Sequence, residues 1–437
     1  MTRDTATEAD KPASEVGDAS PRSALYRAVW RWHFYAGLFS IPILVILSIS
    51  GIVYLFRPEI TELVYGNLTN VERGQQAVSY EQQLQAVQAA YPNAEVVRMT
   101  TPPSATKATS FDLTTGGALP GFASGNYTAF VDPYTGEVLG TRNNHRDPVQ
   151  IANEIHGSLL TRLWLGDPKW GDRLVELVAS WTVVLVVTGV YLWWPRGANK
   201  QLKGTVLPRL GARNSRVKWR DIHAVTGVLF SFVFLFFLVT GLAWTGLWGA
   251  NYQKLMTSAG ADTVFTAINE PPTSQTLGQQ FGEGRVGWAV STLPVLPSGQ
   301  PVGEATTSDG NLTWNPADGA PLDAIVAAAQ REGVPAGFRV SFPSDDQGSY
   351  FIGYGFAKGQ GAFDSQSVYV DQYSGEVLAK VGFSDFGLQA QMMDAGIALH
   401  EGDEFGLIGQ LMSLTGALAV LLVLSSSVVM WYKRRPQ

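Results

Sequence analysis

The chain contains five histidines, His33, His145, His156, His223 and His400, and no cysteine. Imidazole is the commonest metal ligand among side chains, so these positions carry most of the capacity to hold a metal or metallo-cofactor. Carboxylates, methionine and carbonyls are the remaining ligand classes. The lack of cysteine excludes a disulfide framework, thiolate-bound zinc, iron–sulfur clusters and covalent c-type haem attachment. No Gly-rich phosphate loop, G-x-S-x-G elbow or H-E-x-x-H pair occurs. Gly282-Glu283-Gly284-Arg285-Val286-Gly287 matches G-x-G-x-x-G but lies in no βαβ pattern, so it is not read as a dinucleotide site.

An internal repeat places four of the five histidines. His33 is followed by Gly37, Ser40 and Ser50-Gly51, and His223 by Gly227, Ser231 and Thr240-Gly241. The His-to-second-Gly spacing is 18 in both. Val131-Asp132-Pro133-Tyr134-Thr135-Gly136-Glu137-Val138-Leu139 matches Val370-Asp371-Gln372-Tyr373-Ser374-Gly375-Glu376-Val377-Leu378, each read as strand, Gly turn, strand. Tyr80 to Ala90 and Pro321 to Arg331 read as amphipathic helices. His156 and His400 each precede a second apolar run, with Leu160 to Pro168 inserted in the first copy. His145 has no counterpart and is read as a surface residue.

Something must bring these residues together, and the apolar runs are the elements available. Only 16% of the 437 residues are charged, against about 25% in ordinary soluble proteins. Four uncharged stretches are long enough to cross a bilayer: Trp32 to Phe56, Leu177 to Pro195, Ile222 to Gln253 and Phe405 to Tyr432. The loop from Arg196 to Arg220 carries eight basic and no acidic residues, and Lys433, Arg434 and Arg435 follow the last run, which assigns these ends to the cytoplasm. The segment 249–404 holds six basic and eighteen acidic residues and falls outside. A net charge of −6 argues against a nucleic-acid surface.

The expected architecture is an α-helical membrane protein: a four-transmembrane-helix bundle from two parallel repeats, with two periplasmic α+β domains. Residues 1–30 are a disordered cytoplasmic tail, 31–56 the first transmembrane helix, 57–170 the first outer domain and 171–196 the second helix. A basic loop, 197–220, leads to the third helix, 221–248, the second outer domain, 249–404, the fourth helix, 405–432, and a cytoplasmic tail, 433–437. In a bacterium this is a multi-pass inner-membrane protein with both termini cytoplasmic.

Two parallel repeats put His33 opposite His223 near one membrane face and His156 opposite His400 at the other. Two imidazoles on one iron suit a six-coordinate electron-transfer haem, and helix bundles hold such groups between facing helices. The competing reading satisfies each His with a carbonyl or water. Gly37 and Gly227, one turn from their histidines, permit close approach of a flat macrocycle. Arg31 and Arg220 are candidate partners for haem propionates. If the pairs sit at opposite rims, a 25-residue helix separates them by about 37 Å.

Thr188-Gly189-Val190-Tyr191-Leu192-Trp193-Trp194-Pro195-Arg196, the Val-Asp-Pro-x-Thr-Gly-Glu-Val-Leu strand and the His-Gly at His156 resemble the PepSY-associated transmembrane family over roughly residues 22–435. Ser426-Ser427-Val428-Val429-Met430-Trp431-Tyr432 departs from the fuller string. The resemblance implies PepSY-like outer domains and a membrane oxidoreductase: a di-haem reductase of ferric siderophores, with His33, His156, His223 and His400 as axial ligands of two haems b. The implied partners are a ferric siderophore or other ferric chelate and a separate electron donor, a quinol or cytoplasmic reductase. Trp164, Trp170, Asp394, Glu401, Asp403 and Glu404 are expected to rim a chelate site in a cleft between the outer domains, favouring cationic chelates. The alternative is a non-redox anchored module that binds or inhibits a periplasmic peptidase.

Overall fold

The computed structural model describes residues 21–114, 127–195, 203–258, 275–276, 294–295, 319–343, 348–355 and 359–433. The first twenty residues, the Gly282–Gly287 match and Arg434 and Arg435 lie outside these.

Helix α1 spans Pro21–Leu55. It starts earlier than expected, and residues 21–30 are helix rather than tail. Ala24, Leu25, Arg27 and Ala28 supply good helix formers that lead straight into the apolar run. α2 (Arg57–Thr69) and α3 (Tyr80–Ala90) follow, then β1 (Glu95–Thr100), β2 (Thr109–Thr114), β3 (Tyr127–Val131) and β4 (Val138–Asn143). The chain returns to the helices through α4 (Pro148–Ser158), α5 (Thr161–Leu165) and α6 (Lys169–Trp193). The second copy contains α7 (Ser215–Leu229), α8 (Ser231–Leu242), α9 (Trp248–Ser258), α10 (Leu322–Arg331), β5 (Arg339–Ser341), β6 (Ser349–Tyr354), β7 (Gln366–Asp371), β8 (Val377–Gly382), α11 (Leu388–His400) and α12 (Leu407–Tyr432).

Three helices among the described residues are long and apolar enough to cross a membrane: Ala24–Leu55, Lys169–Trp193 and Leu407–Tyr432. The expected third span is not a straight rod. α7 and α8 meet at Phe230 with a 57° bend, and only together do they pass the same test. Ser231 Oγ donates to the Val228 carbonyl at 2.8 Å, a side-chain bond that competes with the backbone ladder at the break.

Segments 57–170 and 249–404 depart more sharply from expectation. Instead of two domains with a cleft between them, they form one eight-stranded antiparallel sheet, ordered β8-β7-β6-β5-β1-β2-β3-β4. The seam is β1 against β5, with Arg98 opposite Ser341, Met99 opposite Val340 and Thr100 opposite Arg339. Each four-stranded half would leave an unpaired edge there, and joining the edges satisfies both. α3 and α10 cover one face over a single core that includes Leu84, Val87, Met99, Phe111, Ile325, Val340, Ile352 and Val368. The two helices also cap each other. Asp323 accepts from the amides of Tyr80 (2.9 Å) and Glu81 (3.2 Å), and Glu81 accepts from the amide of Leu322 (3.4 Å). The repeated turns are alike: Asp132 and Asp371 each accept from the amide two residues on at 2.8 Å, and Gly136 (φ 74°) and Gly375 (φ 70°) take the left-handed position.

Candidate functional site

A cavity of about 1870 Å³ runs from beneath the open face of the sheet, between the helices, to the end where α1 begins and α6 finishes. His33, His156, His223 and His400 all line it, and His145, in the short turn Asn144–Arg146, does not. The rings of His33 and His223 lie 6.2 Å apart at an interplanar angle of 85°. Those of His156 and His400 lie 6.3 Å apart at 86°. The two copies thus meet ring to ring in the pairs that the repeat suggests.

Each imidazole is held by its own copy. His33 Nδ1 bonds Thr188 Oγ1 at 2.9 Å, and His400 Nδ1 bonds Thr240 Oγ1 at 3.0 Å. His156 Nδ1 donates to the Leu47 carbonyl at 2.9 Å with Ser50 Oγ at 3.4 Å. His223 Nδ1 donates to the Val423 carbonyl at 3.1 Å with Ser427 Oγ at 3.0 Å. The four hydroxyls give their own protons to backbone carbonyls of their helices: Thr188 to Val184, Ser50 to Ile46, Thr240 to Phe236 and Ser427 to Val423. They can therefore only accept from imidazole. This fixes the proton on Nδ1 in all four rings and leaves Nε2 with its lone pair, the form a metal binds.

Small residues stand beside the rings. A Cβ on Gly51 would come within 3.0 Å of His156, one on Gly189 within 3.2 Å of His33, and one on Gly241 within 3.3 Å of His400. The signal was in the sequence as a hydroxyl–small dipeptide, Ser50-Gly51, Thr188-Gly189, Thr240-Gly241 and Ser426-Ser427. Its role as the seat of a histidine needs the neighbouring helix to be seen. The departure at Ser426-Ser427 keeps the function, since Ser427 supplies the hydroxyl itself. The insertion before α6 does not displace His156, because it folds out as α5 after left-handed Leu159 (φ 52°) and Leu160 (φ 55°).

Gly37 and Gly227 line the cavity one turn from His33 and His223, and a Cβ on Gly227 would meet nothing within 4 Å. Arg220 lines it too, paired with Asp221 at 2.8 Å. Arg31 does not. It lies in a separate groove with Trp32, Tyr35 and Trp181, because residues two apart on a helix point to opposite sides. The pairs are also closer than the rims. His156 sits against Leu47 to Gly51 of α1, about 14 to 18 residues from His33, or roughly 24 Å along the axis.

These features fit a bis-imidazole haem at each pair. Two imidazoles sharing one metal, at about 2.0–2.1 Å from each nitrogen, bring their ring centres to about 6 Å. The observed ring separations agree, the cavity beside them is largely apolar, and Gly37 and Gly227 leave space against the helix backbone. Replacing Thr240 with Val keeps the shape but removes the acceptor for His400. Cofactor affinity at that pair is expected to weaken by about 10–100-fold in a titration of the apo-protein, and unchanged affinity would refute the role given to the hydroxyl.

At the sheet-side end the expected acidic rim is largely committed elsewhere. Arg57 holds Glu401 at 2.8 Å and Asp403 at 2.5 Å, and Glu404 accepts from the amide of Ala362 at 2.7 Å. Trp164 and Trp170 are exposed and outside the cavity lining. Of the six rim candidates only Asp394 is a cavity-lining acid without an ion pair among the described residues, and burial pushes its carboxyl up to about 6. Replacing Arg57 with Met removes the ion-pair partner of two largely buried carboxylates. Stability is expected to fall by about 3–5 kcal/mol, largely restored by adding Glu401→Gln and Asp403→Asn, as read from thermal unfolding of each variant.

The family model for the PepSY-associated TM region matches residues 30–434. No curated protein matches the chain.

Proposed function

The chain belongs to the PepSY-associated transmembrane family, and we propose that within it this protein is a b-type di-haem cytochrome that reduces a ferric chelate. The observation that carries this reading is the disposition of the four imidazoles: two facing pairs in one cavity, each ring tied through Nδ1 and each with a free Nε2. His33 with His223, and His156 with His400, would each hold one haem b, which when bound supplies one-electron chemistry at a six-coordinate iron. The surrounding helices orient the rings, and their apolar faces keep water away.

In this reading the two copies form a four-span bundle, with the bent α7–α8 pair as its third member. The basic loop before α7 faces the cytoplasm of a bacterial cell, and the sheet faces the periplasm. Electrons enter on the loop side from a quinol or a cytoplasmic reductase. They leave at the sheet side to a ferric siderophore or other ferric chelate. Reduction to Fe(II) loosens the iron, because hard oxygen donors favour the harder Fe(III). One electron is gained by the iron for each electron lost by the donor, and no bond in the protein changes.

Proteoliposomes with a reductant inside and a ferric chelate outside test this directly. Fe(II), trapped by an external Fe(II)-specific chromogenic chelator, should accumulate only in vesicles that contain the protein. Vesicles whose protein is reduced but which deliver no Fe(II) would overturn the assignment.

A further inference from the structure

The roof of the cavity holds a cation that no described carboxylate pairs with. Arg339 on β5 lines the cavity and makes no hydrogen bond or ion pair among the described residues. Its position follows from the seam. Met99 and Val340 point into the core beneath α3 and α10, so Thr100 and Arg339, one step along the strands, point the other way. Cross-strand partners carry that row outward: Ser110 opposite Thr100 on one side, Gly353 opposite Arg339 and Ser367 opposite Gly353 on the other. Thr100, Ser110, Arg339 and Ser367 all line the cavity. The result is a hydroxyl-bearing row across five strands with a guanidinium near its middle and no side chain at Gly353 beside it.

Two other cations nearby are already matched, and Asp394, on the helix side of the same cavity, makes no ion pair with Arg339. Arg57 is bound to Glu401 and Asp403. Arg98, the repeat equivalent of Arg339, reaches Ser341 Oγ at 3.4 Å and Asp112 at 3.8 Å, and Asp112 also accepts from Thr128 at 2.8 Å. Burial, reinforced by Arg98, brings the Arg339 guanidinium down to about 10. An enclosed cation with no ion-paired carboxylate among the described residues is unfavourable, and five N–H donors in a fixed fork suit a planar oxyanion.

We propose that Arg339, flanked by the hydroxyls of Thr100, Ser110 and Ser367, is an oxyanion site that binds a carboxylate-class group at the sheet-side end of the cavity. Resting on the proposed function, this makes an anionic ferric chelate the preferred substrate, the reverse of the preference that an acidic rim suggests. The same chemistry is offered by the carboxylates of a group held between His156 and His400, and the two sources are separable.

The test uses the purified full chain with its cofactor, titrated calorimetrically with gallium(III)–EDTA, a redox-inert anionic chelate, and with gallium(III)–desferrioxamine B, a cationic one. Arg339→Gln should weaken the anionic chelate about 10-fold or more and leave the cationic one unchanged, with Arg339→Lys in between. Arg339→Gln breaks no hydrogen bond or ion pair among the described residues, so its melting temperature should not fall. Arg98→Gln, which removes the neighbouring charge, provides a second variant with the same expected direction and smaller size. If the source is instead the bound cofactor, Arg339→Gln will weaken cofactor retention and shift its absorbance while chelate affinity holds, and the oxyanion site stands. If Arg339→Gln changes neither chelate affinity nor cofactor retention and absorbance, the proposal is overturned. A colourless protein that binds the gallium–EDTA complex through Arg339 would defeat the cytochrome reading and leave the site intact.

Discussion

Replacing His156 or His400 with Ala is expected to abolish ferric-chelate reduction while the His33–His223 pair stays reducible. The His156–His400 pair lies nearer the sheet, so in the proposed direction it is the last station before substrate. Hydrogen-bond partners of a metal-bound His are alone worth about 10–100-fold, so loss of the ligand itself should exceed about 100-fold in rate. Stopped-flow reduction followed by addition of a ferric chelate separates the two steps. The variants should take up electrons and retain them. Reoxidation at the normal rate in both would remove this pair from the electron path.

The second large effect is at the other end. His33→Ala or His223→Ala should each remove one haem of the two, with little change in the far-ultraviolet dichroism of the bundle. Both rings project into the cavity, so shortening either costs its hydrogen bond to the neighbouring helix, Thr188 for His33 and Val423 for His223, and leaves the apolar helix contacts in place. What would disappear, in the proposed reading, is one of the two imidazoles that hold the iron. The far pair, roughly 24 Å away along α1, should keep its spectrum. Unchanged haem content in both variants would refute the assignment of this pair.

How much of this was legible beforehand depends on how far each feature reaches along the chain. The histidine pairing was legible because the repeat copies a local spacing, His to Ser-Gly or Thr-Gly, and parallel copies in a bilayer must face one another. The turns at Gly136 and Gly375 were legible for the same reason. The seam between Thr100 and Arg339 was not, because strand edges carry no mark of their partner when it lies more than two hundred residues away. The pairing of Glu401 and Asp403 with Arg57 was not legible either, because Arg57 is equally remote in sequence. Arg31 is different. A helix turns by 100° per residue, so its position two residues before His33 already opposed a shared face. The bend at Phe230 left only Ser231 as a signal in an otherwise apolar run, and the insertion before α6 looked like a shift in register because its outward fold is a tertiary outcome.

The central claim is that both histidine pairs hold haem, and the most direct measurement is the optical spectrum of the purified protein with haem quantified per chain. Two b-type haems per chain, low-spin in both oxidation states, is the result expected from two bis-imidazole pairs. A protein that is colourless after expression with ample haem, and that takes up none when haem is added to the apo-form, would contradict it and favour the anchored peptidase-binding module instead.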